Sequence, residues 1–355
     1  MIVLSVEAAA DLAVRGVRVA APVYRGPGAG PSDDGHVVIG DRAMALATAA
    51  GSPWAIADGH LTYEGEVVDA VAAWPVDRPA FYDLATADGV PYEQIARLHG
   101  DRVLATTVVQ TCVRYTDEAT RCRFCAIEQS LAAGATTRVK TPAQLDEVAE
   151  AAVRLDGVRQ LVMTTGTANT PDRGARHLAR CAAAVHAAVP DLPMQAQIEP
   201  PADLAVLDDL HRAGVTALGV HIETLDERAR AVWTPGKATV PRADYDRVWD
   251  RAVEVFGRNR VSTYVLLGLG EDADDVVAGC AELARRGVYP FVVPYRPIAG
   301  TLAHADGVPA PPPGYVAEVT HRVAVALRAA DMRGADQGAG CAACGACSAL
   351  AEAGG

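Results

Sequence analysis

Short apolar runs alternate with longer amphipathic stretches between about residue 100 and residue 300. The predicted strands cover 103–111, 160–165, 194–199, 217–222, 261–267 and 289–294, and the first of them is β-branched and apolar, as buried strands are. Apolar residues at helical spacing fill stretches between them, such as 141–154, 173–188 and 272–286. This alternation predicts an α/β fold with a parallel sheet and crossover helices. Six such units predict a partial (β/α)6 barrel of the TIM type.

The two ends of the chain differ from this central region. Short strand-like runs occur at 36–39 and 54–63, and the Gly- and Pro-rich stretch 26–35 between them predicts a loop. This pattern indicates a small α+β cap whose role the pattern does not reveal. We therefore predict three segments: an N-terminal cap at 1–95, the barrel at 96–310, and a helix with a Cys-rich tail at 311–355.

Composition narrows the class of protein. Half of the 355 residues are hydrophobic, which excludes a disordered chain. The net charge of −12 and the lack of a Lys/Arg-rich block argue against nucleic acid and membrane partners and favour a small-molecule substrate. No signal peptide or membrane-spanning stretch is visible, so we expect a cytoplasmic protein in a reducing compartment.

Three cysteines follow the first predicted barrel strand. Cys112, Cys122 and Cys125 have the spacing C-x9-C-x2-C. Three thiolates can hold three irons of a [4Fe-4S] cluster and leave the fourth iron open to a small molecule. A closed zinc site would need a fourth ligand, and no His lies between Cys112 and Cys125. We predict a cluster here, with zinc and then a disulfide as the alternatives.

A second cysteine group lies near the C-terminus. Cys341, Cys344 and Cys347 form a C-x2-C-x2-C motif, the spacing that bacterial ferredoxins use for three ligands of a [4Fe-4S] cluster. We predict an auxiliary cluster whose fourth iron is open or bound by a distant residue. Zinc and an unstructured metal-scavenging tail are the alternatives. Cys181 and Cys280 lie in Ala-rich helical stretches and are interpreted as small buried apolar residues.

Small and polar residues follow the predicted strands. The carboxyl ends of barrel strands carry active sites, and a glycine there lets the backbone approach a ligand closely. Carboxylates at these ends can accept hydrogen bonds from hydroxyl or ammonium groups. An ordinary strand-to-helix turn at 164–167 and a helix N-terminal charge at Glu199 are the alternatives. The residues are Thr165, Gly166, Thr167, Glu199, Glu223, Gly268 and Glu271.

The segment Cys122-Arg123-Phe124-Cys125 resembles the signature of the radical S-adenosylmethionine (SAM) superfamily. The usual family spacing is C-x3-C-x2-C, and the first gap is longer in this chain. The resemblance implies a [4Fe-4S] cluster that binds SAM. Reductive cleavage of SAM would then yield a 5′-deoxyadenosyl radical that abstracts hydrogen from a small substrate. An electron donor such as flavodoxin or ferredoxin is implied as well.

The strand-end residues extend this resemblance. The stretch 164–167 lies where the family binds the SAM amino group, with Thr in place of the usual Glu, and Glu223 lies where the family contacts ribose. Residues 268–271 resemble the segment near the adenine, and with 221–224 they resemble lipoyl and biotin synthases. The implied cofactor-binding set is Phe124, Thr165, Gly166, Thr167, Glu199, Glu223, Arg228, Gly268 and Glu271. Lys237 and Arg296 are further candidate partners of a carboxylate.

The whole chain also resembles radical SAM proteins encoded in bacterial nitrilase gene clusters. The residues that carry this are 81–84, 88–92, 98–100, 106–112, 122–127 and the Cys341 tail. This resemblance implies a role in nitrile or cyanide metabolism. Three functions remain open: radical transformation of a small metabolite, sulfur insertion with the auxiliary cluster as donor, and a metal-binding scaffold that lost the reaction. The sequence identifies no catalytic residue, although His221 and Tyr295 lie at suitable strand ends.

Overall fold

A small sheet and one helix form the N-terminal part of the molecule. The computed structural model describes residues 4–19 and 36–354, so the loop predicted at 26–35 lies outside the described residues. The sheet order is β1-β4-β5-β6-β2-β3, with β1 parallel to β4 and the remaining pairs antiparallel. The elements are α1 (Val6–Arg15), β1 (Arg18–Val19), β2 (His36–Ile39), β3 (Arg42–Ala45), β4 (Trp54–Ala57), β5 (His60–Tyr63) and β6 (Glu66–Pro75).

A curled sheet of seven strands forms the centre of the molecule. Its strands are β7 (Arg97–His99), β8 (Val103–Thr107), β9 (Gln160–Thr164), β10 (Met194–Ile198), β11 (Ala217–Val220), β12 (Val261–Leu267) and β13 (Val288–Pro294). They lie in chain order across the sheet, and β8 to β13 are mutually parallel. The predicted partial (β/α)6 barrel is therefore confirmed. The antiparallel edge strand β7 was not predicted.

Helices precede, connect and follow the strands of this sheet. They are α2 (Tyr92–Ile95), α3 (Gln129–Ala132), α4 (Pro142–Asp156), α5 (Ala175–Ala188), α6 (Ala205–Arg212), α7 (Glu227–Trp233), α8 (Pro235–Ala238), α9 (Arg242–Phe256), α10 (Ala273–Arg286), α11 (Leu302–Ala305), α12 (Pro313–Ala329) and α13 (Cys341–Cys344). Two 3-10 turns add Ala80–Asp83 and Gly334–Gln337. Local sequence fixes these ends: Thr141 and Gln144 form a capping box at α4, which Gly157 ends in a left-handed conformation.

The strand predicted at 103–111 ends earlier than expected. β8 stops at Thr107, and Cys112 therefore lies in a loop rather than at the strand end. The reason is a change of partner: Val108 still donates to the Thr164 carbonyl, whereas Gln110 donates to the Arg138 carbonyl. The chain thus leaves the barrel ladder and turns toward the segment before α4.

The two faces of the barrel sheet differ in polarity because side chains alternate along each strand. On β10, Met194, Ala196 and Ile198 belong to the main hydrophobic core. The alternate positions are Gln195 and Gln197, which are buried on the inner face. The barrel interior is therefore a polar chamber, and the apolar face packs against helices.

A second hydrophobic core joins the ends of the chain to the barrel. It includes Leu12 of α1, Phe291 of β13, Val323 of α12 and Leu350 of the tail. The segment boundaries at 95 and 310 remain a prediction, and this core crosses both. No helix among the described residues is both long enough and apolar enough to cross a membrane.

We expect Leu218→Ala to destabilise the barrel because Leu218 on β11 is fully buried in the main core. The loss of the side chain leaves a cavity and should lower the free energy of unfolding by about 2–5 kcal/mol. The matched control is Val232→Ala on α7, where the side chain is 58% exposed. That variant should change the free energy by less than about 0.5 kcal/mol. Urea denaturation of both variants measures the difference.

Candidate functional site

The first cysteine group lies in a loop at the carboxyl ends of the parallel strands. Cys112, Cys122 and Cys125 are all free thiols. The backbone folds in tight turns, in which Cys125 N donates to the Cys122 carbonyl at 3.0 Å. Burial raises the pKa of Cys122 to about 12 and that of Cys125 to about 11, and the charge of Cys112 acts on both. The three thiols are half-buried and lie close enough for their charges to interact.

The nine residues between Cys112 and Cys122 are anchored to the barrel. Arg114 forms an ion pair with Glu199 at 2.5 Å, and both side chains are nearly buried. Thr120 offers its carbonyl to Gly236 N at 3.1 Å. A Cβ on Gly236 would lie 2.3 Å from Cδ of Arg114, so the glycine permits this close approach. The segment between Cys112 and Cys122 is thus a folded part of the site. The carboxylate of Glu199 is used in its ion pair with this segment.

The segment after β9 also packs on the cysteine loop. Gly166 N donates to the Val109 carbonyl at 2.8 Å. A Cβ on Gly166 would lie 2.1 Å from the Thr111 carbonyl oxygen. Thr167 accepts a hydrogen bond from Val113 N at 3.0 Å. The small residues predicted here for SAM binding therefore also hold the backbone that carries Cys112.

A buried ion pair lies beside the first cysteine group. Lys237 of α8 contacts Glu223 at 2.7 Å, and it also donates to the His221 carbonyl at 3.3 Å. Burial disfavours the charge of Lys237, but Glu223 raises its pKa well above the usual value. The charges of both residues act on Cys122. The pair can present both a cation and a carboxylate to a ligand at this position.

Other predicted cofactor residues have different surroundings. Glu271 accepts hydrogen bonds from Gly268 N, Leu269 N and the Tyr315 hydroxyl, each at 2.6 Å, so its carboxylate holds its own loop. Arg228 is exposed on α7. Phe124 packs on a small apolar cluster that contains Trp233, Leu269 and Tyr295.

The second cysteine group lies at the opposite end of the barrel. Gly340 N donates to Oε1 of Gln160, the first residue of β9, at 2.6 Å. A Cβ on Gly340 would lie 2.2 Å from Nε2 of Gln195, so a glycine is needed for this contact. Ser348 donates to the Val292 carbonyl at 2.6 Å. The tail therefore closes the amino end of the barrel.

Barrel side chains contact the tail thiols directly. Gln197 Nε2 and the Tyr264 hydroxyl donate to Sγ of Cys341 at 3.3 Å and 2.6 Å. Burial and the charge of Cys341 raise the pKa of Tyr264 well above its usual value, so Tyr264 remains a donor. His99 Nε2 lies 3.6 Å from Sγ of Cys347. Burial opposes ionisation of Cys347, yet His99 and Arg296 hold its pKa below the usual value.

The N-terminal sheet covers the outer side of the tail. Ala45 N of β3 donates to the Ala346 carbonyl at 2.9 Å. Arg42 donates to the Gly345 carbonyl at 3.1 Å and forms an ion pair with Glu352. The cap thus holds the tail against the barrel, which gives the N-terminal segment a structural role.

A cavity of about 320 Å³ is lined by the three tail cysteines and by residues close in sequence to the first cysteine group. Gln110, Ala126 and Ile127, which flank the first group in sequence, line one part of it. Thr164, Gln197 and Tyr264 line its middle, and Cys341, Cys344 and Cys347 line another part. The tail thiols therefore border this cavity directly, whereas the first cysteine group is represented in its lining only by neighbours in sequence.

The donor set at both cysteine groups fits an iron–sulfur cluster. Among the described residues, no three His, Cys, Asp or Glu side chains are placed to hold one ion. Zinc would gather four ligands around a single centre, whereas a cluster distributes its thiolates over separate irons. The eight cysteines are all free thiols in this structure. Cys181 and Cys280 are buried in α5 and α10, away from these groups.

Sequence reasoning missed several residues of the chamber. Gln195, Ser262 and His99 received no role. The alternation of apolar residues and Gln along β10 could have predicted a polar barrel interior, because an inner face repeats every second residue. His99 carries no such signal, since its contact with Cys347 joins residues 248 positions apart.

Comparison with known proteins supports the same chemistry. Residues 119–281, somewhat less than half of the chain, match the family model described as the Radical SAM superfamily. The match includes Cys122 and Cys125 and begins after Cys112. A solved structure, methylornithine synthase (PylB), aligns with a TM-score of 0.50 at 14% identity over 72% of this chain and 71% of that one. This similarity concerns the fold.

Two curated relatives are similar over part of their length. The bacteriochlorophyllide c C-7(1)-hydroxylase of Chlorobaculum limnaeum is 28% identical over 38% of this chain and 33% of its own length. The mitochondrial lipoyl synthase of Leishmania braziliensis is 27% identical over 47% of this chain and 43% of its own. The chain thus spans less than half the length of either relative.

Gly166→Ala should impair the first cysteine group. The added methyl would collide with the Thr111 backbone, which cannot move without shifting Cys112. We expect destabilisation of about 1–3 kcal/mol and lower iron content after anaerobic reconstitution. The control is Gly314→Ala, where a Cβ meets no atom within 4 Å. Unchanged iron content in Gly166→Ala would contradict the role assigned to this contact.

Proposed function

We propose that this chain is an enzyme of the radical SAM superfamily and that it transforms a small metabolite in the cavity lined by its tail cysteines. One observation carries the proposal: residues flanking Cys112 and Cys125 and the thiols of the tail line a single cavity. The family implies a [4Fe-4S] cluster that binds SAM, a small substrate and a reductant. Cys112, Cys122 and Cys125 would hold that cluster.

When bound, this cluster supplies one electron that splits SAM and generates a 5′-deoxyadenosyl radical. The contribution of the chain is to bind and orient. Lys237 and Glu223 would receive the carboxylate and amino or hydroxyl groups of SAM, since both lie beside Cys122. Thr165, Gly166 and Thr167 would border the same ligand.

We further propose that Cys341, Cys344 and Cys347 hold an auxiliary [4Fe-4S] cluster. Three observations support this proposal: the C-x2-C-x2-C spacing, the burial of the tail, and the hydrogen bonds that Gln197 and Tyr264 donate to Cys341. Flavodoxin or ferredoxin is the proposed electron donor. The resemblance to radical SAM proteins of nitrilase gene clusters supports a substrate from nitrile or cyanide metabolism.

Substitutions in the two cysteine groups should affect SAM cleavage and iron content differently. Cys122→Ala should abolish formation of 5′-deoxyadenosine from SAM in the presence of dithionite. Cys344→Ala should retain this cleavage and lose about half of an iron content near eight per chain. Cys280→Ala is the matched control, since Cys280 is buried in α10, and should retain both properties. Equal loss of cleavage in Cys122→Ala and Cys344→Ala would contradict the division of labour.

Sulfur insertion is a second candidate function. It is favoured by the similarity to lipoyl synthase and by the three tail thiols that line the cavity. In this case the auxiliary cluster would donate its sulfide to the substrate. We then expect about one product per chain and a matching loss of acid-labile sulfide. Sustained turnover with constant sulfide would exclude this function.

A further inference from the structure

The proposed auxiliary cluster has four irons but only three ligands in the tail. The C-x2-C-x2-C motif supplies Cys341, Cys344 and Cys347. The fourth iron either remains open to substrate or takes a ligand from elsewhere in the chain. The choice matters because an open iron can bind substrate, whereas a cluster with four protein ligands has no free coordination position for it.

His99 lies against the two later cysteines of this motif. It ends β7, the edge strand of the barrel sheet, and its side chain is buried. Its Nε2 faces Sγ of Cys347 at 3.6 Å. A Cβ built on the next residue, Gly100, would lie 3.7 Å from Sγ of Cys344. The end of β7 is therefore in direct contact with the cysteine motif.

A second histidine orients the His99 ring. Nε2 of His36 lies 3.2 Å from Nδ1 of His99, and the rings meet edge to face with centroids 4.7 Å apart. A hydrogen bond at Nδ1 leaves Nε2 as the atom that faces the cysteines. Histidines that bind metals are oriented in this way by a hydrogen bond to the other ring nitrogen.

Other polar neighbours of the motif are less suitable ligands. Gln197 and Tyr264 both donate a hydrogen bond to Sγ of Cys341, which is itself one of the three proposed ligands. Ser348 donates to the Val292 carbonyl. Arg42 contributes only N–H donors. Imidazole nitrogen, by contrast, replaces cysteine in known clusters and raises their reduction potential.

We propose that Nε2 of His99 is the fourth protein ligand of the cluster held by Cys341, Cys344 and Cys347, with His36 as its orienting partner. This inference rests on the proposed auxiliary cluster. It assigns that cluster to electron transfer rather than to substrate binding at an open iron. It also gives the N-terminal sheet a functional contribution, because His36 belongs to β2.

The test isolates the auxiliary cluster in the full-length chain. Cys112, Cys122 and Cys125 are all changed to Ala, the protein is labelled with ¹⁵N-histidine, and the cluster is reconstituted and reduced. Pulsed EPR then detects hyperfine coupling to a directly bound histidine nitrogen. We expect this coupling in the labelled protein, and we expect its loss, with iron retained, in His99→Cys, together with a lower reduction potential. His321→Ala, an exposed histidine paired with Glu7, is the control and should keep the coupling.

The outcomes separate the two proposals. Absence of iron from the triple-alanine protein would overturn the auxiliary cluster and this inference together. A cluster of about four irons without histidine coupling would overturn only the role of His99. Coupling that persists in His99→Cys would also overturn it, as would failure of His99→Cys to hold iron, because a thiolate should replace an imidazole ligand.

Discussion

The fold depends on satisfying polar side chains inside a barrel of parallel strands. Gln195, Gln197 and Tyr264 project inward from β10 and β12, and a buried polar group without a partner costs roughly 1–3 kcal/mol. Gln195 bonds to Ser262 and Gln197, while Gln197 and Tyr264 donate to the Cys341 thiol. The barrel interior is therefore complete only when the tail occupies its amino end.

The position of the tail explains the N-terminal sheet. Both ends of the chain meet at β3, where the Ala45 amide and the Arg42 side chain bind the tail backbone. Ordering a terminal segment costs conformational entropy, which the shared core of α1, α12 and Leu350 offsets. The N-terminal sheet thus holds the tail cysteines at the amino end of the barrel.

The sequence predicted elements well and long-range contacts poorly. The six parallel strands and the helices α4, α5 and α10 were predictable because buried β-branched runs and helical periodicity are local signals. The cysteine motifs were visible for the same reason. The antiparallel strand β7, the pairing of Arg114 with Glu199, and the contact of His99 with Cys347 had no local signal, since each depends on how the chain folds back on itself. Glu199 illustrates this limit: its position at a strand end suggested a ligand contact, and its carboxylate pairs with the cysteine loop.

The two cysteine groups differ in what surrounds them, and this difference supports different roles. Beside the first group lie Lys237 and Glu223, a cation and a carboxylate suited to a zwitterionic ligand. Around the second group lie donors to sulfur and a histidine, the contacts that would complete and tune the proposed auxiliary cluster. Barrel enzymes place variable chemistry at the carboxyl ends of their strands and stability at the amino ends. The proposed auxiliary cluster at the amino end would border the cavity directly, and this position would suit an exchange of electrons with a substrate bound there.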